Sequence, residues 1–324
     1  MILLNSTLHE LGEVECDLDV EVGTTESSSN DFEILSNRLF SADTAGFYIP
    51  GTEIGGMIEY SLERTDEDVA TLKGYTWRGL MSQIGPIMPP SGSDYRVVSG
   101  EANIVIANLL SGKLGDFFTV SSESSGCTIS SYQFPLYINY LDGIETMLES
   151  YGYRLKITAQ KVASNQPIQI LVEAVEASLI QGTFNDDNGI PMSFETNNLG
   201  INHLVCGGSG ELQQRMIIDL YIDSNGNVSR TQTYTGFDER VAFFDYPNAE
   251  SEDDLIDSGT KELLELASFK KLTMEAPEDY ELEVGDLIQG VFPDGTIIQS
   301  PIVQKIYKLI DGIVSEEYKI KSEE

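Results

Sequence analysis

Val14-Glu15-Cys16-Asp17-Leu18-Asp19-Val20-Glu21-Val22 is the stretch on which the reading of the fold turns. Apolar residues take every second position and carboxylates fill the rest. A period of two is that of a β-strand, so one face meets a core and the other points outward. The outward face is Glu15, Asp17, Asp19 and Glu21, all acidic. Successive carboxylates on it stand about 7 Å apart and repel one another at low salt. Two readings are open. An edge strand can use charge to block aggregation. Alternatively, the strand presents an anionic lumen or groove face to something that must not stick.

The same excess runs through the whole chain of 324 residues. Nineteen Lys and Arg face 53 Asp and Glu, a formal net charge of −34. Such a surface repels phosphate, which excludes a stable nucleic-acid binder and disfavours anionic lipid. Hydrophobic residues make up 41 %, enough for a real core, and the length suits roughly two domains. Cys16, Cys127 and Cys206 are sparse and no CxxC occurs, so buried thiols formed in a reducing cytoplasm are expected rather than disulfides or a zinc ribbon. The N-terminus has no basic region before its short apolar run, and the longest apolar stretch, Ile168 to Ile180, is broken by Glu173 and Glu176. No signal peptide, membrane span or lipid anchor is expected.

Outward from β-like residues 14–22, Ile58, Tyr60 and Leu62 alternate with Glu59, Ser61 and Glu63, and Ala70 to Trp77 reads as the return strand. Pro86, Pro89, Pro90 and Gly92 then force a turn-rich connection. A first β-barrel domain is expected over 1–92, which 196–245 could complete. An α+β insert follows over 93–195. Its elements are a helix over Glu101–Leu110 capped by Ser99, a helix over Tyr140–Tyr151 stopped by Gly152, and strands Tyr153–Thr158 and Ile168–Val175. A second β-rich barrel domain spans 196–324. It carries a hairpin around Asp223-Ser224-Asn225-Gly226-Asn227, an acidic helix over 251–267 with Leu255, Ile256, Leu263, Leu264 and Leu266 inward, and turns at Pro293-Asp294-Gly295 and Asp311-Gly312. The class is α+β, mainly β.

Catalytic chemistry finds little purchase. His9 and His203 form no zinc motif, and His203 reads as structural. Gly207-Gly208-Ser209-Gly210-Glu211 puts Glu where a nucleophile elbow needs Gly, and it lacks the Lys of a phosphate loop. Asp223, Asn225 and Asn227 begin like a calcium loop, but Val228 and Tyr234 occupy positions that loop reserves for Gly and Glu. Asp186-Asp187-Asn188-Gly189 reads as a turn. Fifty-three acids always offer some carboxylate pair, yet nothing raises one pair above another. No enzyme activity, cofactor or metal is expected.

The order of short motifs carries a resemblance. Asn30-Asp31-Phe32-Glu33-Ile34 is followed by Tyr75-Thr76-Trp77-Arg78-Gly79-Leu80, Pro89-Pro90-Ser91-Gly92-Ser93-Asp94-Tyr95-Arg96 and Ser99-Gly100-Glu101-Ala102-Asn103. Later come Gly152-Tyr153-Arg154-Leu155, Gly200-Ile201-Asn202-His203-Leu204, Leu220-Tyr221-Ile222-Asp223, Val284-Gly285-Asp286-Leu287-Ile288 and Glu317-Tyr318-Lys319. Across nearly its whole length this series resembles the siphophage tail-tip baseplate hub proteins of phages and prophages. The resemblance implies two tail-tube-like β-barrel domains per subunit around an inserted α+β domain. It implies a homotrimeric ring that continues the tail tube and lets DNA pass in transit without binding it. The partners it implies are the distal tail protein, the tape-measure protein and the tail-fibre or receptor-binding proteins, in a virion tail assembled in the host cytoplasm. Many relatives carry a C-terminal peptidase or lysozyme domain, and the expectation here is a hub without one. The competing readings are a tail-associated cell-wall hydrolase with an unrecognised carboxylate pair and a glycan-binding surface protein.

Overall fold

The computed structural model describes residues 1–64, 66, 69–184, 192–197, 199–210, 214–223, 227–247, 249, 251–267, 269–274, 282–291 and 297–320. The turns expected at 186–189, at 224–226 and at 293–295, and Glu211 of the glycine-rich stretch, lie outside these residues. The chain divides into two compact units, Met1–Pro191 with Met274–Ile320, and Met192–Thr273.

The larger unit opens with β1 (Ile2–Leu4), β2 (Glu10–Glu13), β3 (Asp17–Gly23), β4 (Asp31–Ser36), β5 (Gly46–Tyr48), β6 (Gly55–Arg64) and β7 (Val69–Thr76). Helix α1 (Trp77–Ser82) follows directly, so Trp77 starts a helix instead of ending a strand. Next come β8 (Val97–Glu101), α2 (Ala102–Leu110), β9 (Phe118–Val120), β10 (Thr128–Gln133), α3 (Tyr140–Glu149), β11 (Tyr153–Lys161), β12 (Ile168–Glu176) and β13 (Leu179–Phe184). Helix α2 is capped by the carboxylate of Glu101, which accepts from the Ile104 amide, whereas Ser99 lies within β8. Asn139 caps α3 through the Asp142 amide. Strands β11 and β12 pair antiparallel from Tyr153–Glu176 to Lys161–Ile168, and β9 joins β12 in parallel. Their apolar face, with α2, α3, Trp77 and Phe134, makes one continuous core.

The smaller unit holds β14 (Met192–Asn197), β15 (His203–Gly207), β16 (Ile217–Ile222), β17 (Val228–Ser229), β18 (Val241–Asp245), α4 (Glu252–Leu266) and most of β19 (Phe269–Met274). Ser251 caps α4, whose Leu255 and Leu263 pack on Leu204, Cys206, Ile218 and Leu220. Leu266, expected inward, is exposed at the last turn. The hairpin pairs Ile222 with Val228, and β17 ends after two residues.

The chain then returns to the larger unit through β20 (Leu287–Val291), β21 (Ile297–Ile310) and β22 (Ile313–Ile320). Within that unit nine strands follow one antiparallel path, β22-β21-β3-β4-β7-β6-β5-β1-β2, and β20 pairs with both β21 and β13. The class is α+β, mainly β, as the sequence implies. No closed barrel is found among the described residues: the path ends at the exposed, acidic strand β2, which does not pair with β22. Strand β3 also lies in the middle of this path, between β21 and β4, so the edge-strand reading of its carboxylates is overturned. The reason is long-range: residues near 306 supply the second neighbour, and no local pattern announces them.

Candidate functional site: the anionic face of the central sheet

The alternation in β3 sorts its side chains cleanly. Leu18, Val20 and Val22 are buried with Phe32, Ile34, Phe47 and Leu72. Asp17, Asp19 and Glu21 stand on the opposite face, and Glu15 is exposed just before the strand begins. Val14 and Cys16 lie outside β3 but still touch its core. The β3–β4 connection is pinned by Asn30, which is buried in the left-handed region at φ 54°. Its side-chain amide donates to the Gly23 carbonyl at 2.9 Å, and its amide oxygen accepts from the Gly23 N–H at 2.8 Å. Asn tolerates that backbone region and mimics a turn with its own amide. Thr76 donates to the Asn30 carbonyl at 3.0 Å and caps α1 by accepting from Gly79. Gly79 is needed here, because a Cβ would stand 2.2 Å from the Asn30 oxygen.

Register sets the charges of this face into a row across the strands. Lys308 of β21 lies opposite Asp19, Asp19 opposite Glu33 of β4, Glu33 opposite Lys73 of β7, and Lys73 opposite Tyr60 of β6. Lys73 pairs with Glu33, while Lys308 reaches Asp19 at 3.9 Å and Glu317 at 3.8 Å. Glu21 accepts from Gln304 at 3.0 Å and from Ser29 at 3.2 Å, and Asp17 accepts from the Asp311 amide at 3.0 Å. The Asp19 carboxyl is raised above the usual carboxylate range. Partial burial is the main cause, Lys308 opposes it, and the negative charges of Glu21, Glu317 and Glu33 add to it. Asp17, Asp19, Glu21, Asp31, Glu33 and Glu59 line a groove of about 750 Å³; Glu15 and Asp17 line a neighbouring one of about 920 Å³. The structure therefore brings Asp17, Asp19 and Glu21 together, with Glu15 beside them and not in the same row.

Strand β6 departs from the sequence pattern in a way that matters for this face. Its register with β7 shifts between Ile58 and Tyr60. A bulge of one residue exchanges the two faces of every later position. Ile58 therefore packs on the core, while Tyr60 and Leu62, expected on the same side, are 52 % and 43 % exposed.

A second acidic cluster, missed in the sequence, is buried beneath the opposite face. The Arg78 side chain of α1 is 1 % exposed. Its Nε and Nη2 donate to Glu53 at 3.0 and 2.9 Å, and its Nη1 donates to Glu145 of α3. The second oxygen of Glu145 is buried without a hydrogen-bond partner. Burial pushes the Glu145 carboxyl up to about 7, against the attraction of Arg78 and with help from Asp142 and Glu53. Nearby, Lys305 donates to the Leu282 carbonyl at 3.3 Å and lies 3.2 Å from Glu316 and 3.6 Å from Glu283. Arg154 binds Asp286 at 2.7 Å.

His203 and the cysteines take structural places. His203 Nδ1 lies 2.9 Å from Glu239 and Nε2 lies 2.9 Å from Asp219, and the ring stacks on Tyr221. All three cysteines are free; burial raises the Cys127 thiol and pushes Cys206 up to about 11, far from the reactive thiolate. Among the described residues, no group of three or more His, Cys, Asp or Glu is arranged to hold a metal ion, and no helix is long and apolar enough to cross a membrane.

No protein-family model matches the sequence, and no curated protein is similar to it. Solved structures are. A prophage tail protein from Listeria monocytogenes, gp18, aligns over 100 % of this chain and 94 % of its own, at 14 % identity and a TM-score of 0.47. A tail protein from Neisseria meningitidis aligns over 99 % and 95 %, at 10 % identity and a TM-score of 0.45. A chain of the phage P2 baseplate in its activated conformation with Ca aligns over 95 % and 87 %, at 13 % identity and a TM-score of 0.40. In the overall course of its backbone the chain is similar to these phage tail and baseplate proteins.

Proposed function

We propose that this protein is a non-enzymatic structural element of a phage or prophage tail tip. Three copies would form a hub ring that continues the tail tube, meets the distal tail, tape-measure and receptor-binding proteins, and lets DNA pass. The observation that carries the reading is the anionic face at the centre of an open sheet. Asp17, Asp19 and Glu21, with Glu15 beside them, stand where no edge needs guarding. Turned toward a passage, they would repel phosphate over about a Debye length, roughly 8 Å at physiological salt. The unclosed path of the sheet supports assembly, because strand edges left open in one subunit can be covered by neighbours in a ring. The sequence-wide order of motifs supports the hub in particular.

Native mass spectrometry of the purified protein tests the ring. The expected species is a trimer of about 107 kDa, three copies of the 35.7 kDa chain. Release of peptidoglycan fragments from purified cell walls would overturn the non-enzymatic reading and favour a hydrolase. For the passage, the variant combining Glu15→Gln, Asp17→Asn, Asp19→Asn and Glu21→Gln is expected to retain duplex DNA at low salt more than the wild type. Equal retention would remove the anionic wall and leave the structural role standing.

A further inference from the structure

The anionic face also carries a feature that repulsion does not need. Leu62 lies opposite Thr71, Thr71 opposite Leu35, and Leu35 opposite Asp17. Beyond Asp17, Ile310 pairs with Ile313. Leu62, Leu35 and Ile310 are 43 %, 46 % and 51 % exposed. With Thr71 and Asp17 between them they form a mainly apolar row that crosses the strands where the two acidic grooves meet, since Leu35 and Asp17 line both. A wall that only repelled polyanions would be better served by polar groups at these positions, because exposed apolar rows invite association.

We infer that this row is a docking site for a cationic amphipathic helix of a partner protein. Three observations choose that occupant. The row lies on a sheet face and not at an edge, so it offers no free backbone ladder; a visiting segment must satisfy its own backbone, as a helix does. The row crosses β6, β7, β4, β3, β21 and β22, a span of about 24 Å at the usual strand spacing, which suits a helix of about 16 residues. The flanking charge is strongly one-signed. Five carboxylates besides Asp17 line the first groove against Lys73, and Glu13, Glu15 and Asp311 add to the second against Arg64. A helix with leucines in the row and lysines on both flanks would match apolar to apolar and cation to carboxylate. The like-charge crowding by Glu21, Glu317 and Glu33 around Asp19 would be offset by such a cation. This goes beyond the wall role and holds whether or not the face borders a passage.

The test is fluorescence anisotropy on the full chain at about 0.15 M salt, with three labelled probes: an amphipathic Leu–Lys peptide of about 16 residues, an oligolysine of equal charge, and a short DNA duplex. The Leu–Lys peptide is expected to bind at least about tenfold tighter than oligolysine. The double variant Leu35→Ser, Ile310→Ser is expected to remove that advantage, while Val241→Ser, an exposed apolar site in the smaller unit, leaves it intact. Thermal unfolding of each variant confirms that the fold persists. Equal binding of the two peptides, or an advantage that survives the double variant, would overturn the inference. So would a wild-type oligomer that falls apart on Leu35→Ser without peptide, which would mark the row as a contact between copies. Binding of the duplex bears on the anionic wall alone, so failure of that reading is separable from failure of this one.

Discussion

Two acidic regions of this molecule handle excess negative charge in opposite ways. Around Arg78, one guanidinium sits between Glu53 and Glu145 with almost no access to water, and every N–H used is aimed at an oxygen. On the outer face, the carboxylates Asp19 and Glu33 of the adjacent strands β3 and β4 stand in register, flanked in their row by Lys308 and Lys73. Inside, charge is tolerated only with a geometrically fitted partner, because the dielectric is low and desolvation costs several kcal/mol per ion. Outside, water and salt screen like charges, so an unbalanced row costs little stability and remains free for function.

The largest effect that would test this contrast is loss of the buried cation. Arg78→Met leaves Glu53 and Glu145 facing each other without their shared partner. Urea unfolding is expected to show a loss of about 3–5 kcal/mol, or no cooperative fold. A loss under about 1 kcal/mol would erase the distinction between the two regions.

Next in size is the pH response of the buried cluster. Glu145 is raised to about 7 when folded from an ordinary 4.5 when unfolded, so the folded state holds the proton more tightly. The stabilisation this brings is complete below about 4.5 and is lost as pH rises through about 7. It amounts to about 3 kcal/mol across that interval. Burial moves Glu283 in the same direction. Glu10 and Glu101 shift the opposite way: Lys161 and Tyr48 lower Glu10, and hydrogen bonds from Ser125 and backbone amides outweigh burial to lower Glu101. Their contribution is present above the ordinary carboxylate range and lost on acidification below it. Denaturation from pH 5 to 8 is therefore expected to show stability falling toward pH 8 in the wild type and a flatter profile in Glu145→Gln. An unchanged slope in the variant would assign the response to other groups.

The smallest effect belongs to the outer face. Asp19→Asn removes one member of the repelling row and is expected to raise stability by a few tenths of a kcal/mol at low salt. Because partial burial is the main cause of the raised Asp19 carboxyl, most of that gain should persist near 1 M salt, where the Debye length is about 3 Å and repulsion is screened. A gain that vanishes at high salt would mean that repulsion, and not burial of the carboxylate, dominates there.

Local features of this architecture are legible in the chain. The alternation from Leu18 to Val22, the helix α3 stopped near Gly152 and the acidic helix α4 all follow from chemistry within a few residues. The apolar row could not be read, because no residue type near Glu59 signals the register shift that turns Tyr60 and Leu62 outward. Arg78 was equally silent. Its partners lie 25 and 67 residues away, and a lone Arg in a proline-flanked segment looks like a surface residue.

What the amino-acid order determined alone is the mainly-β class, the two-faced character of β3 and the acidity of its outer side, since periodicity and charge act between near neighbours. Only the tertiary structure decided that β3 lies between β4 and β21, that the sheet stays open, and which carboxylates receive a buried cation. Those outcomes depend on pairings between residues far apart in the chain, whose free energy is set by how whole strands and helices pack and not by any short stretch of sequence.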